Sequence, residues 1–600
     1  MSTITLTING QQVTAPAGST ILEVAQSAGI YIPTLCHHPD LKPAGVCRVC
    51  LVEIQGQPVL QPACVYPAAN GIVVNTDSHT VRDARRTTVQ LLLSNHPDDC
   101  LACVRNRSCE LQSLAEELGI TDRRYAGERN QFEPDNSSSV IVRDPEKCIL
   151  CRRCVSVCQD IQGVGAINVL ERGWKSKVGP AFGMDLAEAV CVYCGQCIDR
   201  CPTGALREHD ATEQVWKALK DPDKFVVVQT APAVRAAIGE EFGMPPGSLV
   251  TGEMVSGLRR LGFDRVFDTD FTADLTIMEE GNELIQRLQS GGVLPLITSC
   301  CPGWIKFAEH FYPDLLPNLS TCKSPQQMFG AVAKTYYAEK AGLDPSKMVV
   351  VSIMPCTAKK FEAQRPEMHD SGFRDVDYVL TTRELGQMLR EAGIDLATLP
   401  PSDYDDPLGT STGAAVIFGA TGGVMEAALR TAYEVITGKA LPNLDFDEVR
   451  GMEGIKTATI PVGAIELKVA VAHGLANARK TLDLIRDGKA EFQFLEIMAC
   501  PGGCLGGGGQ PIPIDYGIRR KRAQAIYQAD QGLPIRKSHE NPVVVRIYQE
   551  FLGQPLGHKS HELLHTHYTP RPNPGIADPD QQASAIGDQP EGQKKATTVA

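Results

Sequence analysis

Cysteine is the residue type in this sequence best able to do chemistry, and its 21 copies are clustered. Fifteen lie before residue 202, and six lie between Cys300 and Cys504. The count is odd, and the first residues lack the basic and apolar regions of a signal peptide. Both observations disfavour a disulfide framework and favour metal ligation. Each cysteine group is therefore a candidate metal site.

Two runs have the most specific spacing. CILCRRCVSVC begins at Cys148, CVYCGQCIDRC begins at Cys191, and both read C-x2-C-x2-C-x3-C. Residues 138–208 thereby resemble a bacterial two-cluster ferredoxin, in which the fourth cysteine of each run ligates the other 4Fe–4S cluster. The two predicted ligand sets are Cys148, Cys151, Cys154 and Cys201, and Cys158, Cys191, Cys194 and Cys197.

The first cysteine group along the chain consists of Cys36, Cys47, Cys50 and Cys64. It follows a segment in which Asn9–Gly10 predicts a hairpin turn and Ser19 marks the start of a helix. Two strands, a helix and a loop with C-x10-C-x2-C make residues 1–78 resemble a β-grasp ferredoxin with a 2Fe–2S cluster. A zinc loop is the alternative, although zinc sites prefer two C-x2-C hooks.

The second group consists of His96, Cys100, Cys103 and Cys109. Its spacing offers four ligands directly after a predicted helix, and alone it could bind zinc. Between two iron–sulfur modules, residues 79–125 instead resemble the His-ligated 4Fe–4S domain of complex I-type subunits. The first 208 residues are therefore predicted to hold one 2Fe–2S cluster and three accessory 4Fe–4S clusters, which carry electrons but offer no substrate pocket.

From Phe225 onward, apolar strands alternate with helices, which predicts an α/β domain and an α+β or α/β multidomain chain overall. Three of the strands run into cysteine, at Cys300–Cys301, Cys356 and Cys500/Cys504. An open α/β sheet binds ligands beyond the carboxyl ends of its strands, so we expect these five thiols in one crevice. Glycines 506–509 are expected to let the backbone close over a large inorganic group; a flexible loop is the alternative.

Three motifs carry a resemblance to a known family. TSCCPGW (298–304), MPCTAKK (354–360) and EIMACPGGCLGGGGQP (496–511) resemble those of iron-only (FeFe) hydrogenases, and the similarity extends over residues 1–568. It implies that residues 209–515 hold an H-cluster, a 4Fe–4S cube joined to a two-iron subcluster with carbon monoxide, cyanide and azadithiolate. It also implies reversible reduction of two protons by two electrons to H2. The implied cube ligands are Cys301, Cys356, Cys500 and Cys504.

The resemblance further implies a proton relay through Cys300, Glu280, Ser320, Glu283 and Arg287. Cys300 begins it, because the cube needs only one of the two adjacent cysteines. Glu280 and Glu283 are i, i+3 in a predicted helix and Arg287 lies four residues further, so the three share a face. A solvated helix face with an ordinary salt bridge is the alternative.

Other site positions follow from the same resemblance. Lys359 is expected to pair with a cyanide ligand through a charge-assisted hydrogen bond. The diatomic ligands and the subcluster are expected to contact Pro232, Ala233, Pro325, Gln326, Met354 and Met498. For the two methionines, ordinary core packing is an equal alternative. Cys322 is left without a role.

The remaining sequence excludes several functions. A net charge of −13 argues against general nucleic-acid binding. No stretch approaches the roughly 20 apolar residues of a membrane span, so a cytoplasmic location is expected. Residues 516–568 predict helices that wrap the catalytic domain, with the basic run 519–522 on a solvated face. Residues 569–600 are predicted to be disordered.

No dinucleotide-binding G-x-G-x-x-G and no P-loop is present, so direct reaction with a nicotinamide nucleotide is not expected. The expected partners are a ferredoxin or a flavin-containing NAD(P)-linked subunit, together with hydrogenase maturases. Two rival functions are weighed. A complex I-like electron-wiring subunit would lack the three downstream motifs, and an assembly or sensory protein of the same fold would not need Cys300, Glu280 and Glu283.

Overall fold

A computed structural model gives the fold of residues 2–125, 127–463 and 465–573. The chain is a mixed α/β multidomain protein, as the sequence predicts. Within these ranges, no helix is both long and apolar enough to cross a lipid bilayer. From residue 574 the predicted disordered tail lies outside the described residues. Ordered chain runs slightly past the predicted boundary at 569, because Arg571 pairs with the buried Glu309 and Asn573 donates to the His310 carbonyl.

The N-terminal domain is a five-stranded sheet of order β2-β1-β5-β3-β4, in which β1 and β5 are parallel. Its hairpin turn lies at Asn9 and Gly10, both with positive φ. The first helix begins two residues later than predicted, because Thr20 is its N-cap and forms a capping box with Glu23. The elements are β1 Thr3–Ile8, β2 Gln11–Pro16, α1 Ile21–Ser27, β3 Leu51–Ile54, β4 Gln61–Pro62 and β5 Val73–Asn75.

Two small modules follow. The first is a pair of helices, α2 His79–Ser94 and α3 Glu110–Glu117. The second has two short antiparallel strand pairs, β6 with β9 and β7 with β8. Its elements are β6 Ile141–Arg143, α4 Arg153–Ser156, β7 Asn168–Leu170, β8 Lys177–Gly179, α5 Gln196–Arg200 and β9 Leu206–Glu208.

The large domain contains two four-stranded sheets and not the single open sheet that the sequence suggested. One sheet is parallel, of order β11-β10-β13-β14; the other, of order β12-β17-β16-β15, is parallel apart from β15. The strands of the two sheets are β10 Phe225–Thr230, β11 Arg265–Asp268, β12 Leu296–Ile297, β13 Met348–Met354, β14 Tyr378–Thr381, β15 Ile455–Val462, β16 Ile465–His473 and β17 Phe494–Met498. Strands β13 and β17 are buried throughout, which explains their continuous apolar sequence.

Helices cover both sheets. They are α6 Thr212–Lys220, α7 Thr251–Leu261, α8 Asp270–Ser290, α9 Pro302–Phe311, α10 Pro325–Val332, α11 Ala338–Ala341, α12 Ala358–Glu362, α13 Thr382–Glu391, α14 Gly413–Val416, α15 Gly423–Thr437 and α16 Leu475–Arg486. Helix α8 packs against both α10 and α15. Since α10 belongs to the core of the first sheet and α15 to that of the second, α8 joins the two cores.

The C-terminal segment adds α17 Tyr516–Gly532, α18 Pro542–Ile547 and α19 His558–Leu564. The buried carboxylate of Glu279 on α8 anchors this segment: it accepts hydrogen bonds from the Tyr548 and Ser560 hydroxyls and from the Leu556 backbone N–H. The basic run 519–522 is not a solvated face throughout. Arg519 and Arg522 are buried in ion pairs with Asp40 and Glu240.

Candidate active site

The two runs of four cysteines surround two separate cavities. The cavity walls contain the sets predicted from the ferredoxin-like pattern, with the fourth cysteine of each run exchanged: Cys158, Cys191, Cys194 and Cys197 line the first, and Cys148, Cys151, Cys154 and Cys201 line the second. The exchange arises because α4 and α5, which follow the two loops, pack on each other. Each cavity therefore offers four converging sulfurs among apolar side chains, which suits an iron–sulfur cluster.

His96 is also suited to metal ligation. It is buried, and its Nδ1 has no hydrogen-bond partner. Burial lowers the pKa of His96 to about 4, so the imidazole is neutral and keeps a free lone pair at pH 7. Cys100 lies in a short helical turn and is exposed, whereas Cys103 and Cys109 are half-buried.

The thiols of Cys36, Cys47, Cys50 and Cys64 are all buried in the N-terminal domain. Cys36 lies within hydrogen-bond reach of Cys47 and Cys64, and Cys50 lies within reach of Cys64. These contacts lower the pKa of Cys36 and Cys50 and raise that of Cys64. The site is thus a compact group of four thiols that share protons, which is compatible with a four-thiolate 2Fe–2S centre.

The spacing of the sulfurs argues against the zinc alternatives. A tetrahedral zinc with bonds of about 2.3 Å holds its sulfurs about 3.8 Å apart. The described residues contain groups of three or more His, Cys, Asp or Glu ligand atoms that all lie within 4.8 Å of one another. None of these groups contains a cysteine. Among any three sulfurs of one cysteine group, at least two therefore lie more than 4.8 Å apart, a spread that suits a multi-iron cluster better than one zinc ion.

A further convergence of thiols lies between the two sheets of the large domain. Cys301, Cys356, Cys500 and Cys504, named here the crevice thiols, follow β12, β13 and β17, and β13 belongs to a different sheet from the other two. Burial raises the pKa of Cys500, and the neighbouring thiols of Cys356 and Cys301 raise it further. The crevice is therefore formed by the carboxyl ends of strands from both sheets.

The glycines after Cys504 lie against protein backbone, a close contact that the sequence-based interpretation did not include. A Cβ on Gly507 would lie closer than 3.0 Å to the Pro355 carbonyl, and a Cβ on Gly508 would lie closer than 3.0 Å to the Cys194 carbonyl and the Gly195 Cα. The run thus threads between the strand end that carries Cys356 and the loop that carries Cys194. It holds an accessory cavity directly against the crevice, because Cys194 also lies close enough to raise the pKa of Cys500.

The structure brings the five predicted relay residues together. The Ser320 hydroxyl donates to Glu283 Oε2 at 2.8 Å, and Arg287 Nη2 donates to Glu283 Oε1 at 2.6 Å. Burial raises the pKa of Glu280, and Ser320 lies close enough to offset part of that rise. Burial also raises the pKa of Cys300, and the charge of Glu280 raises it further. The side chains thus follow one another from the half-buried Cys300 at the crevice to the partly exposed Arg287.

Glu280 has the most perturbed carboxyl group in this relay. It is 1% exposed, and its Oε1 has no hydrogen-bond partner. Burial, followed by the negative charge of Glu283, raises the pKa of Glu280 from 4.5 to about 8. Glu280 is therefore a neutral acid at pH 7, which a solvated helix face would not produce.

Lys359 reaches the crevice through a buried ion pair. Its Nζ donates to Glu362 Oε2 at 2.8 Å and to the Cys300 carbonyl at 3.1 Å. Gln326 donates to the same Glu362 carboxylate at 3.1 Å, and its own Oε1 is buried without a partner. Pro325 opens α10 beside it. Glu362 was not among the predicted site residues, although its position three residues after Lys359 on a helix is a signal for pairing.

The remaining predicted positions divide between the two cores. Met354 packs in the core of the first sheet, whereas Met498 packs in the second together with Cys300, Cys301 and Cys504. Ala233 and Pro232 are buried, and Gln510 bridges the Ala233 carbonyl to the Cys504 carbonyl. Contact of Met498 and Ala233 with a crevice ligand is compatible with these positions; Met354 has the surroundings of a core residue.

Five family models match successive parts of the chain between residues 1 and 571. Residues 224–508 match the family described as iron only hydrogenase large subunit, C-terminal domain, and residues 516–571 match the iron hydrogenase small subunit. Upstream matches are a 2Fe-2S iron-sulfur cluster binding domain (1–79), the NADH-ubiquinone oxidoreductase-G iron-sulfur binding region (85–124) and a 4Fe-4S dicluster domain (147–205).

Individual relatives agree with the family matches. The NADP-reducing hydrogenase subunit HndD of Solidesulfovibrio fructosivorans is 54% identical over 585 residues, covering 95% of this chain and 100% of that protein. Iron hydrogenase 1 of Clostridium pasteurianum is 41% identical over 94% of this chain and 99% of its own length. A solved structure of the FeFe-hydrogenase of Chlamydomonas reinhardtii is 49% identical with a TM-score of 0.54, covering 60% of this chain and 98% of that one.

Proposed function

This chain belongs to the iron-only (FeFe) hydrogenase family, and we propose that its crevice thiols hold an H-cluster at which Cys300 and the relay exchange protons. The enzyme interconverts H2 with protons and electrons, and its iron–sulfur domains relay the electrons. The observation that carries the proposal is the meeting of four thiols from two sheets, with the half-buried Cys300 and a neutral Glu280 at their edge. When bound, the H-cluster supplies the redox-active iron centre for making and splitting H2.

The relay residues have different roles in proton transfer because Glu280 is neutral whereas Glu283 is paired with a cation. A protonated Glu280 can give its proton towards Cys300 and regain one through the Ser320 hydroxyl, which lies between Glu280 and Glu283. Glu283 receives protons at the outer end, where Arg287 holds its carboxylate in place. Each transfer is between neighbouring side chains, so that bulk water need not enter the crevice.

The accessory sites are proposed to hold one 2Fe–2S cluster and three 4Fe–4S clusters. The set of Cys158, Cys191, Cys194 and Cys197 is the last of these before the crevice. Burial and the charges of neighbouring thiols, Cys356 among them, raise the pKa of Cys194, so the two sites are close in space. Electrons can therefore pass from this set to the crevice without a mobile carrier.

The partner is proposed to be a flavin-containing NAD(P)-linked subunit or a ferredoxin. The similarity to an NADP-reducing hydrogenase subunit favours the first. A wide surface cleft lined by Arg123, Arg129, Lys175 and Trp174 borders the His96 site, since Arg123 and Arg129 donate to the His96 carbonyl. A basic cleft beside an iron–sulfur site suits an acidic electron carrier. Dedicated maturases are proposed to supply the two-iron subcluster.

The test of the proton relay compares two thiols near Glu280 and Glu283, those of Cys300 and Cys322. Cys300→Ala removes the thiol at the crevice end of the relay, whereas the matched control Cys322→Ala removes a thiol beside Glu283 that is not in the predicted chain. In protein produced with maturases, we expect Cys300→Ala to keep its iron content and to lose turnover by about 100-fold or more, the usual size of a general acid–base contribution. Cys322→Ala should stay near wild type. Iron loss in Cys300→Ala, or equal losses in both variants, would contradict the assignment.

A further inference from the structure

Lys306 places a buried cation beside the accessory site nearest the crevice. It lies on α9, the helix that begins directly after the crevice ligand Cys301, and it is 3% exposed. Its Nζ donates to the Cys191 carbonyl at 2.5 Å. The ammonium thus lies between a predicted ligand loop of the accessory site and the helix that carries a crevice thiol.

No carboxylate neutralises this ammonium. Among the described residues, none of the acidic side chains lies within 4.0 Å of Lys306 Nζ. Glu309, one turn further along α9, is already held by Arg365 and Arg571. The other close groups are aromatic: the Tyr193 ring centroid lies 4.1 Å away and that of Phe361 lies 5.4 Å away.

A buried unpaired ammonium is costly, and aromatic faces offset only part of the cost. The anionic group available on that side is the four-thiolate site that includes Cys191. An iron–sulfur cluster bound there by four thiolates carries net negative charge, and that charge increases on reduction.

We propose that Lys306 is the electrostatic partner of the iron–sulfur cluster held by Cys158, Cys191, Cys194 and Cys197, and that it raises the reduction potential of this cluster above that of its neighbour. The inference rests on the proposed ligand set. A nearby cation favours the more negative, reduced state, and burial strengthens the effect by limiting solvent screening. Lys306 thus keeps electrons at the cluster adjacent to the crevice.

The neighbouring set, Cys148, Cys151, Cys154 and Cys201, provides the contrast. The less exposed cations beside it are already neutralised by carboxylates. Arg153 forms a two-pronged pair with Glu110 at 2.6 and 2.8 Å, and Lys147 pairs with Asp99 at 2.8 Å. Arg152 also lines this cavity, but its side chain is exposed to solvent, which screens its charge. A buried uncompensated charge is therefore specific to the cluster nearest the crevice.

The test is an EPR-monitored redox titration of the full chain, reconstituted with iron and sulfide but without maturases. We assign the relevant 4Fe–4S signal as the one lost in Cys194→Ala. In Lys306→Gln, this signal should shift to lower potential by at least a tenfold change in its reduction equilibrium, 59 mV for one electron. The other 4Fe–4S signals should keep their wild-type potentials, and Lys306→Arg should restore the wild-type value.

Three outcomes would overturn the proposal: no shift in Lys306→Gln, an equal shift of all clusters, or the same shift in Lys306→Arg. If Lys306→Gln loses the cluster, the titration is made on Lys306→Met. Loss of the cluster from both, with retention in Lys306→Arg, supports the charge pairing; loss from all three assigns Lys306 to packing and refutes it. The titration needs no hydrogen turnover, so a chain without hydrogenase activity would still give an informative result.

Discussion

Gly508→Ala tests whether the glycine run fastens the accessory site to the crevice. The added Cβ would lie closer than 3.0 Å to the Cys194 carbonyl and 2.5 Å from the Gly195 Cα. Both obstacles are backbone atoms of a loop fixed by its neighbours, so no side chain can rotate away. Overpacking of this kind typically costs about 1–3 kcal/mol. For a domain of about 300 residues, whose entropy of unfolding is about 0.6 kcal/mol/K, that corresponds to a melting temperature lower by about 2–5 °C.

The assay is thermal unfolding followed by circular dichroism at one fixed scan rate, because unfolding of a multidomain metalloprotein is not a single reversible transition. The matched control is Gly532→Ala, at the end of α17, where an added Cβ meets nothing within 4 Å. This control should be neutral or slightly stabilising, because alanine is the better helix former. If Gly508→Ala has the same melting temperature as the Gly532→Ala control, the account of the glycine run is refuted.

Three further predictions concern Glu280, His96 and the electron donor. Because the folded pKa of Glu280 is raised from 4.5 to about 8, its contribution to stability is complete below pH 4.5 and is lost as the pH rises to about 8. Between pH 6 and 8 the free energy of unfolding of wild type should therefore fall by about 1.4 kcal/mol per pH unit relative to that of Glu280→Gln, and its melting temperature should fall with it. Above pH 8 the difference between the two melting temperatures should stay constant. A constant difference at every pH would contradict the shift. His96→Ala should remove one 4Fe–4S EPR signal and leave the others, whereas an unchanged spectrum would exclude His96 as a ligand. The chain alone should evolve no H2 from NADPH, and evolution without a partner protein would show direct nucleotide binding.

Local spacing made part of the site predictable. Ligands such as Cys191, Cys194 and Cys197 lie within a few residues of one another in sequence, so the chain has little freedom to separate them. The same holds for Glu283 and Arg287, which one helical turn brings to 2.6 Å. The fold class and the strand-to-cysteine junctions followed from continuous apolar runs, which buried parallel strands require.

Contacts between distant segments were not predictable. Nothing local in β12, β13 and β17 indicates that β13 pairs in a different sheet, since pairing depends on which surfaces meet after folding. The protein neighbours of the glycine run were missed for the same reason: Cys194 and Pro355 are more than a hundred residues away in sequence. Lys306 looks like an ordinary helix residue until the loop of Cys191 is placed over it.

The pairing of β12 with β17 also bears on the order of folding events. Ile297 pairs with Leu495, so this ladder closes a loop of nearly two hundred residues. Closing such a loop costs about 5 kcal/mol of chain entropy before any contact compensates it, and pairings of this range form late. While the chain is being synthesised, Cys301 and Cys504 therefore remain apart. Metal ions encountered early meet isolated thiols there, whereas the N-terminal clusters can mature on domains that are already complete.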